Sequence, residues 1–167
     1  MLKKRSGFTL IELLVVIGIL GILLAIVLIA INPAAQFAQA NNTARTNDVN
    51  TILNAVHQYA ADHKGVLPAG ITEGAMPTGG TVVAADEIGT SNANICAATS
   101  PNYVSLFPVD PDVTAITGGT NGAAVADCSV AYITGYYIVK DANGRLTVWA
   151  PGSESVRGTK PLISVTR

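Results

Sequence analysis

The sequence predicts an α+β protein. A long N-terminal α-helix, its first half membrane-spanning and its second half amphipathic, is expected to pack on a small antiparallel β-sheet. Three observations carry this. Residues 8–31 hold Glu12 as their only charge, and about 24 residues at ~1.5 Å each cross a ~30 Å hydrocarbon layer as a helix. Val49, Ile52, Leu53, Val56, Tyr59 and Ala60 then fall at i, i+3, i+4, i+7, i+10 and i+11, one apolar helix face. Late in the chain, residues 132–139 and 146–150, rich in aromatic and β-branched types, flank Asp141-Ala142-Asn143-Gly144, the signature of a hairpin.

In chain order, Lys3, Lys4 and Arg5 precede the apolar run, and no further cation occurs until Arg45. That asymmetry places the leader in the cytoplasm and the C-terminus outside. Glu12 is the anomaly of the run, because a carboxylate near the middle of a membrane helix costs about 2.5–3.5 kcal/mol on insertion scales. Such a group calls for a partner, unless it merely sits at the headgroup boundary.

The string Gly7-Phe8-Thr9-Leu10-Ile11-Glu12, behind a short basic leader and ahead of a long apolar run, closely resembles the N-terminus of type IV pilins and of type II secretion pseudopilins. The resemblance implies that a prepilin peptidase cuts between Gly7 and Phe8, that Phe8 becomes N-methylated, and that Glu12 serves assembly. It also implies an inner-membrane assembly platform with a cytoplasmic ATPase motor, and a homopolymeric helical filament as the product. The chemistry is consistent, since a carboxylate about 4 positions along the helix can meet the new Phe8 amine of its own chain or of a neighbour. The implied location is the bacterial inner membrane, then an extracellular pilus or a periplasmic pseudopilus. Two rival readings of the N-terminus are a secretory signal peptide cut near Ala38-Gln39-Ala40 and an unprocessed single-pass anchor of a binding domain. The apolar run is too long for a typical signal h-region of ~7–15 residues.

Five segments follow: leader 1–7, spanning helix 8–33, amphipathic half-helix 34–64, a variable loop region 65–130 and a β-region 131–167. The chain has 167 residues, and once Lys3, Lys4 and Arg5 leave with the leader its 10 basic residues fall to 7 against 11 acidic. An acidic chain is a poor partner for nucleic acid, and although Arg145, Arg157, Lys160 and Arg167 bias the tail towards positive charge, no aromatic side chains interleave them. DNA binding is not expected.

Asn32-Pro33 should interrupt the helix where it leaves the bilayer. Beyond it the chain is Ala-rich without Gly or Pro until Gly65, with Pro68 just after, so the helix should stop there. His57 and His63 lie six residues apart, about 240° around a helix, and cannot share a metal as an i, i+4 pair does. Asn41-Asn42-Thr43 matches a glycosylation sequon but sits within the helix. Residues 69–102 read as a connection, with a short strand at Val82-Val83, while Gly79-Gly80 and Gly118-Gly119 read as turns that lack the lysine of a phosphate-binding loop.

Cys96 and Cys128, the two cysteines of the chain, would lie in an oxidising compartment, where an even count suggests a disulfide. Closing a loop of about 32 residues stabilises by at most ~3.7 kcal/mol. Residues 162–165 are expected to add a third strand. No nucleophile, base and orienting group assemble into a catalytic constellation, so no enzyme activity is expected. No cofactor is expected either. Type II secretion pseudopilins, which the chain resembles, bind calcium in a C-terminal loop, and that resemblance makes Asp110, Asp112 and Asp127 the calcium candidates. Their spacing reproduces no EF-hand, and acids beside Pro111 are ordinary turn formers.

Overall fold

The computed structural model describes residues 7–75, 87–112 and 124–167. Val82-Val83, Gly79-Gly80, Gly118-Gly119 and the leader cations lie outside these. The chain divides into two compact units, one reaching to Phe37 and one from Ala38 to Arg167.

The first unit is dominated by α1 (Leu10–Ile31), 22 residues with no buried side chain. Nothing in the unit covers its Leu, Ile and Val side chains, so their burial must come from lipid or from other molecules. The helix ends at Asn32, which adopts the left-handed conformation with φ 47° and ψ 79°. Two causes coincide there: the residue before a proline is pushed out of the α region, and Asn is among the few residues that enter the left-handed region readily. Pro33 then opens α2 (Pro33–Asp62), in the first-turn position where its missing N–H has no helical partner to lose. The expected interruption is thus present as a local break in the backbone.

In the second unit, α2 turns Asn42, Arg45, Val49, Ile52, Leu53 and Val56 inward. The expected face is found, with Tyr59 and Ala60 half-buried at its end. Gly65, at φ 86°, donates its N–H to Ala60 O at 2.7 Å, a left-handed glycine closing the helix as predicted. The α2 face meets Ile88, Ile95, Phe107, Tyr136, Ile138 and Val148 in one apolar core.

Among the described residues the sheet has five strands: β1 (Thr72–Glu73), β2 (Glu87–Gly89), β3 (Ile133–Lys140), β4 (Leu146–Ala150) and β5 (Ile163–Thr166). The hairpin and the late third strand are where the sequence put them, with Tyr137 opposite Trp149 and Val148 opposite Val165. The Asp141 side chain accepts from the N–H groups of Asn143 and Arg145 and fixes the turn. The sheet is mixed, which corrects the expectation of a purely antiparallel one. β1 runs parallel to β3, pairing Thr72 with Val139, and β2 lies antiparallel along the same strand. Parallel pairing needs a long crossover, and the chain between Glu73 and Ile133 supplies one. Strands of two or three residues also leave no period-2 pattern to read. The region read as irregular loop therefore contributes two edge strands and a short helix, α3 (Cys96–Thr99). Cys96 and Cys128 are bonded to each other, tying α3 to the approach to β3.

Both faces of the central hairpin are dry. Tyr136, Ile138 and Val148 belong to the helix-facing core, while Tyr137, Val139 and Trp149 cluster on the other side, with the Tyr137 and Trp149 rings 5.4 Å apart.

Candidate functional site

Gly7 and Phe8 precede the helix. Both are outside regular secondary structure, and Phe8 is 91 % exposed. The peptide bond between them is flanked by two exposed residues, open to a protease. Helix α1 starts one residue after Thr9, and the reason is a reciprocal cap. Glu12 N–H donates to Thr9 Oγ1 at 3.3 Å, while Glu12 Oε2 accepts from Thr9 N–H at 2.8 Å and from Thr9 Oγ1 at 2.7 Å. The Glu12 carboxylate thus satisfies donors that the first helical turn leaves open. An acid at the positive end of the helix dipole is also favoured. The signal for this was in the sequence as Thr9-x-x-Glu12, the capping-box spacing; the expectation placed Phe8 within the helix and gave Thr9 no role.

The second polar assembly was not foreseen. Arg45, fully buried, donates from Nε to Asp110 Oδ2 and from Nη2 to Asp110 Oδ1, both at 2.8 Å. Its Nη1 reaches Glu154 Oε1 at 3.0 Å and Asn42 Oδ1 at 3.2 Å. The Asn42 side chain donates to Glu154 O and accepts from Glu154 N–H, both at 2.8 Å. Burial works against the Arg45 charge, but Asp110 and Glu154 outweigh it and hold the guanidinium above its ordinary value. Next to it, Tyr136 Oη donates to Asp48 at 2.6 Å; burial and the adjacent Asp48 carboxylate push the Tyr136 hydroxyl up. Arg45 lies four residues before Val49 on the stripe that became the buried face, and that position was the available clue.

The calcium candidates are not brought together. The Asp110 carboxylate is bound by Arg45 and also accepts the Asp112 N–H at 2.9 Å, while Asp127 turns its carboxylate to the Ser129 N–H and hydroxyl. Among the described residues no three His, Cys, Asp or Glu side chains are grouped so as to hold a metal ion. His63 stacks on Tyr59 with ring centroids 3.9 Å apart, and His57 lines a separate cleft with Lys140 and Leu146. Asn41 of the sequon donates to Glu154 Oε1 at 2.7 Å. Of the basic tail residues, Arg145 pairs with Asp141 and Arg167 donates to Asn54.

The processing candidates and the buried Arg45 group belong to different units, and only the first has the character of a functional signal: an exposed Gly7–Phe8 bond, a capped acid and an uncovered apolar helix. No curated protein and no solved structure matches the chain significantly. Residues 2–28, however, match the prokaryotic N-terminal methylation motif, so the chain carries the signature of type IV pilins and pseudopilins.

Proposed function

We propose that the chain is the structural subunit of a type IV pilus-like helical filament. The precursor sits in the inner membrane through α1, is cleaved after Gly7 by a prepilin peptidase and is methylated on the new Phe8 amine. It then polymerises through α1, with the domain from Ala38 onward outermost. The observation that carries this reading is the uncovered α1, most of which lies within the methylation motif. A helix with every side chain exposed must, on leaving lipid, cover them against copies of itself, with side-chain contact taking the place of lipid contact. In the filament the Glu12 carboxylate receives a cationic Phe8 amine from a neighbour, a pairing that would fix axial register.

The mass of the native N-terminus tests the reading. A chain beginning with N-methyl-Phe8 is the expected result, and a chain retaining residues 1–7 would overturn it. The same motif serves the short periplasmic pseudopilus of type II secretion. Immunogold electron microscopy with an antibody to the C-terminal domain separates the two: labelled surface fibres support the pilus, and their absence supports the pseudopilus.

A further inference from the structure

The stretch that carries the chain out of α1 offers no free charge of its own. Within residues 32–46 the one ionic side chain is Arg45, which is buried and bound to Asp110 and Glu154. Exposed cations are nevertheless placed beside this stretch from far along the sequence. Val156 and Thr159 exchange backbone hydrogen bonds of 2.9 and 3.1 Å around Arg157 and Gly158, with φ of 52° and 84°. Two left-handed central residues make a tight turn of the primed type. Across a cleft of about 320 Å³, Val156, Thr159 and Pro161 face Gln39, Asn42 and Thr43 of α2. The two bonds between Asn42 and Glu154 hold the preceding loop against the same helix.

On this turn Arg157 and Lys160 are exposed, and neither forms an ion pair among the described residues. Leu162 follows, 55 % exposed. Glu154 of the adjoining loop shares Arg45 with Asp110, so that group keeps one net negative charge against the two cations of the turn, which remain in excess. Chain length restricts where this rim can go: Gln39 follows the last residue of α1 by about 8 positions, a tether of at most ~28 Å even if fully extended. Other cations belong further along α2, where Arg167 bonds Asn54 and Lys140 lines a cleft with His57.

We propose that the 156–162 turn is a membrane footing, which rests on the reading of α1 as a bilayer span. Before assembly, Arg157 and Lys160 meet the phosphates of anionic phospholipid at the surface from which the domain emerges, and Leu162 enters the interface beside them. Basic side chains near an anionic bilayer are attracted within about one Debye length, ~8–10 Å. An adjacent exposed leucine adds apolar burial that a purely ionic partner would not use. These cations lie more than about 100 residues beyond the span and so do not oppose its orientation, which short flanking segments set.

The test uses the full-length chain carrying Leu162→Trp, reconstituted in vesicles with nitroxide-labelled lipid. Quenching is compared between phosphatidylcholine alone and phosphatidylcholine with about one-third phosphatidylglycerol. The expected result is at least ~2-fold stronger quenching in the anionic vesicles, reversed by about 0.5 M salt. It should also be lost in Arg157→Asn/Lys160→Gln, where Asn keeps the left-handed position. Equal quenching in the two lipids by an inserted chain overturns the footing alone. A chain that enters neither vesicle overturns the span and the footing with it.

Discussion

Arg45 and Asp110, far apart in sequence, meet as a fork of two parallel 2.8 Å bonds with both side chains out of water. One belongs to the helix and the other to the loop beside β3, where Asp110 N–H donates to Thr134 O at 2.9 Å. The pair therefore fixes how α2 lies on the sheet. Replacing one partner strands the other charge. Arg45→Met is expected to cost about 3–5 kcal/mol, whereas Arg45→Met with Asp110→Leu recovers most of the loss. Urea unfolding of the full chain in detergent, followed by Trp149 fluorescence, measures both.

Gly152 lies under the same carboxylate. A Cβ at this position would come within 2.9 Å of Asp110 Oδ2, and Asp110 cannot yield without loosening its grip on Arg45. Gly152→Ala should destabilise by about 1–3 kcal/mol, and the loss should shrink in an Asp110→Ala background, as a double-mutant cycle would show.

The Cys96 and Cys128 bridge spans a sequence separation of 32 and is joined to the core by Tyr132, whose hydroxyl accepts from Cys96 N–H and donates to Asn94. Cys96→Ala/Cys128→Ala is expected to lower stability by about 2–4 kcal/mol, read as a shift in the urea midpoint under non-reducing conditions.

Asp48 gives the domain a pH dependence of stated sign. Burial raises its carboxyl above the ordinary 3.8, the Tyr136 hydroxyl pulls it back in part, and the Asp110 charge raises it further. A raised acid binds its proton more tightly in the folded state. Its contribution is complete below pH 3.8 and is lost as pH rises through the elevated value. Asp48→Asn keeps an acceptor for Tyr136 without the charge, so stability of the variant relative to the parent should grow with pH across that window and level off above it. Unfolding measured on both chains over the acid range checks this.

Glu12→Ala separates processing from assembly. The scissile bond lies before the helix and does not involve the side chain, so cleavage after Gly7 should persist, while incorporation into filaments should fall below detection. Normal filaments from the variant would remove the pairing role. Losing the carboxylate half of the reciprocal cap, while the backbone bond to Thr9 Oγ1 is kept, should also fray the first turn by about 0.3–1 kcal/mol.

What could be read in advance was whatever repeats or concentrates. The span, the buried stripe through Val49 and Val56, the stop at Gly65 and the Asp141 turn each depend on residues near one another in sequence, where spacing carries the physics. The features that escaped depend on distant partners. In the sequence Arg45 reads only as the first cation after the span, because its partners Asp110 and Glu154 lie 65 and 109 positions further on. β1 is two residues held only by its register on β3. Thr9 is the exception, a local signal present in the sequence as Thr9-x-x-Glu12.

Helix α1, which keeps none of its side chains for its own domain, has a thermodynamic corollary. Hydrocarbon tails and the aliphatic side chains of sister helices are nearly equivalent solvents for Leu, Ile and Val. Moving such a helix from a bilayer into a bundle exchanges one oil for another, with little gain in either direction from the transfer itself. The direction of travel is then open to small, specific terms, a register-setting charge pair or an applied force. A subunit of the kind proposed exchanges lipid for sister helices without presenting that surface to water.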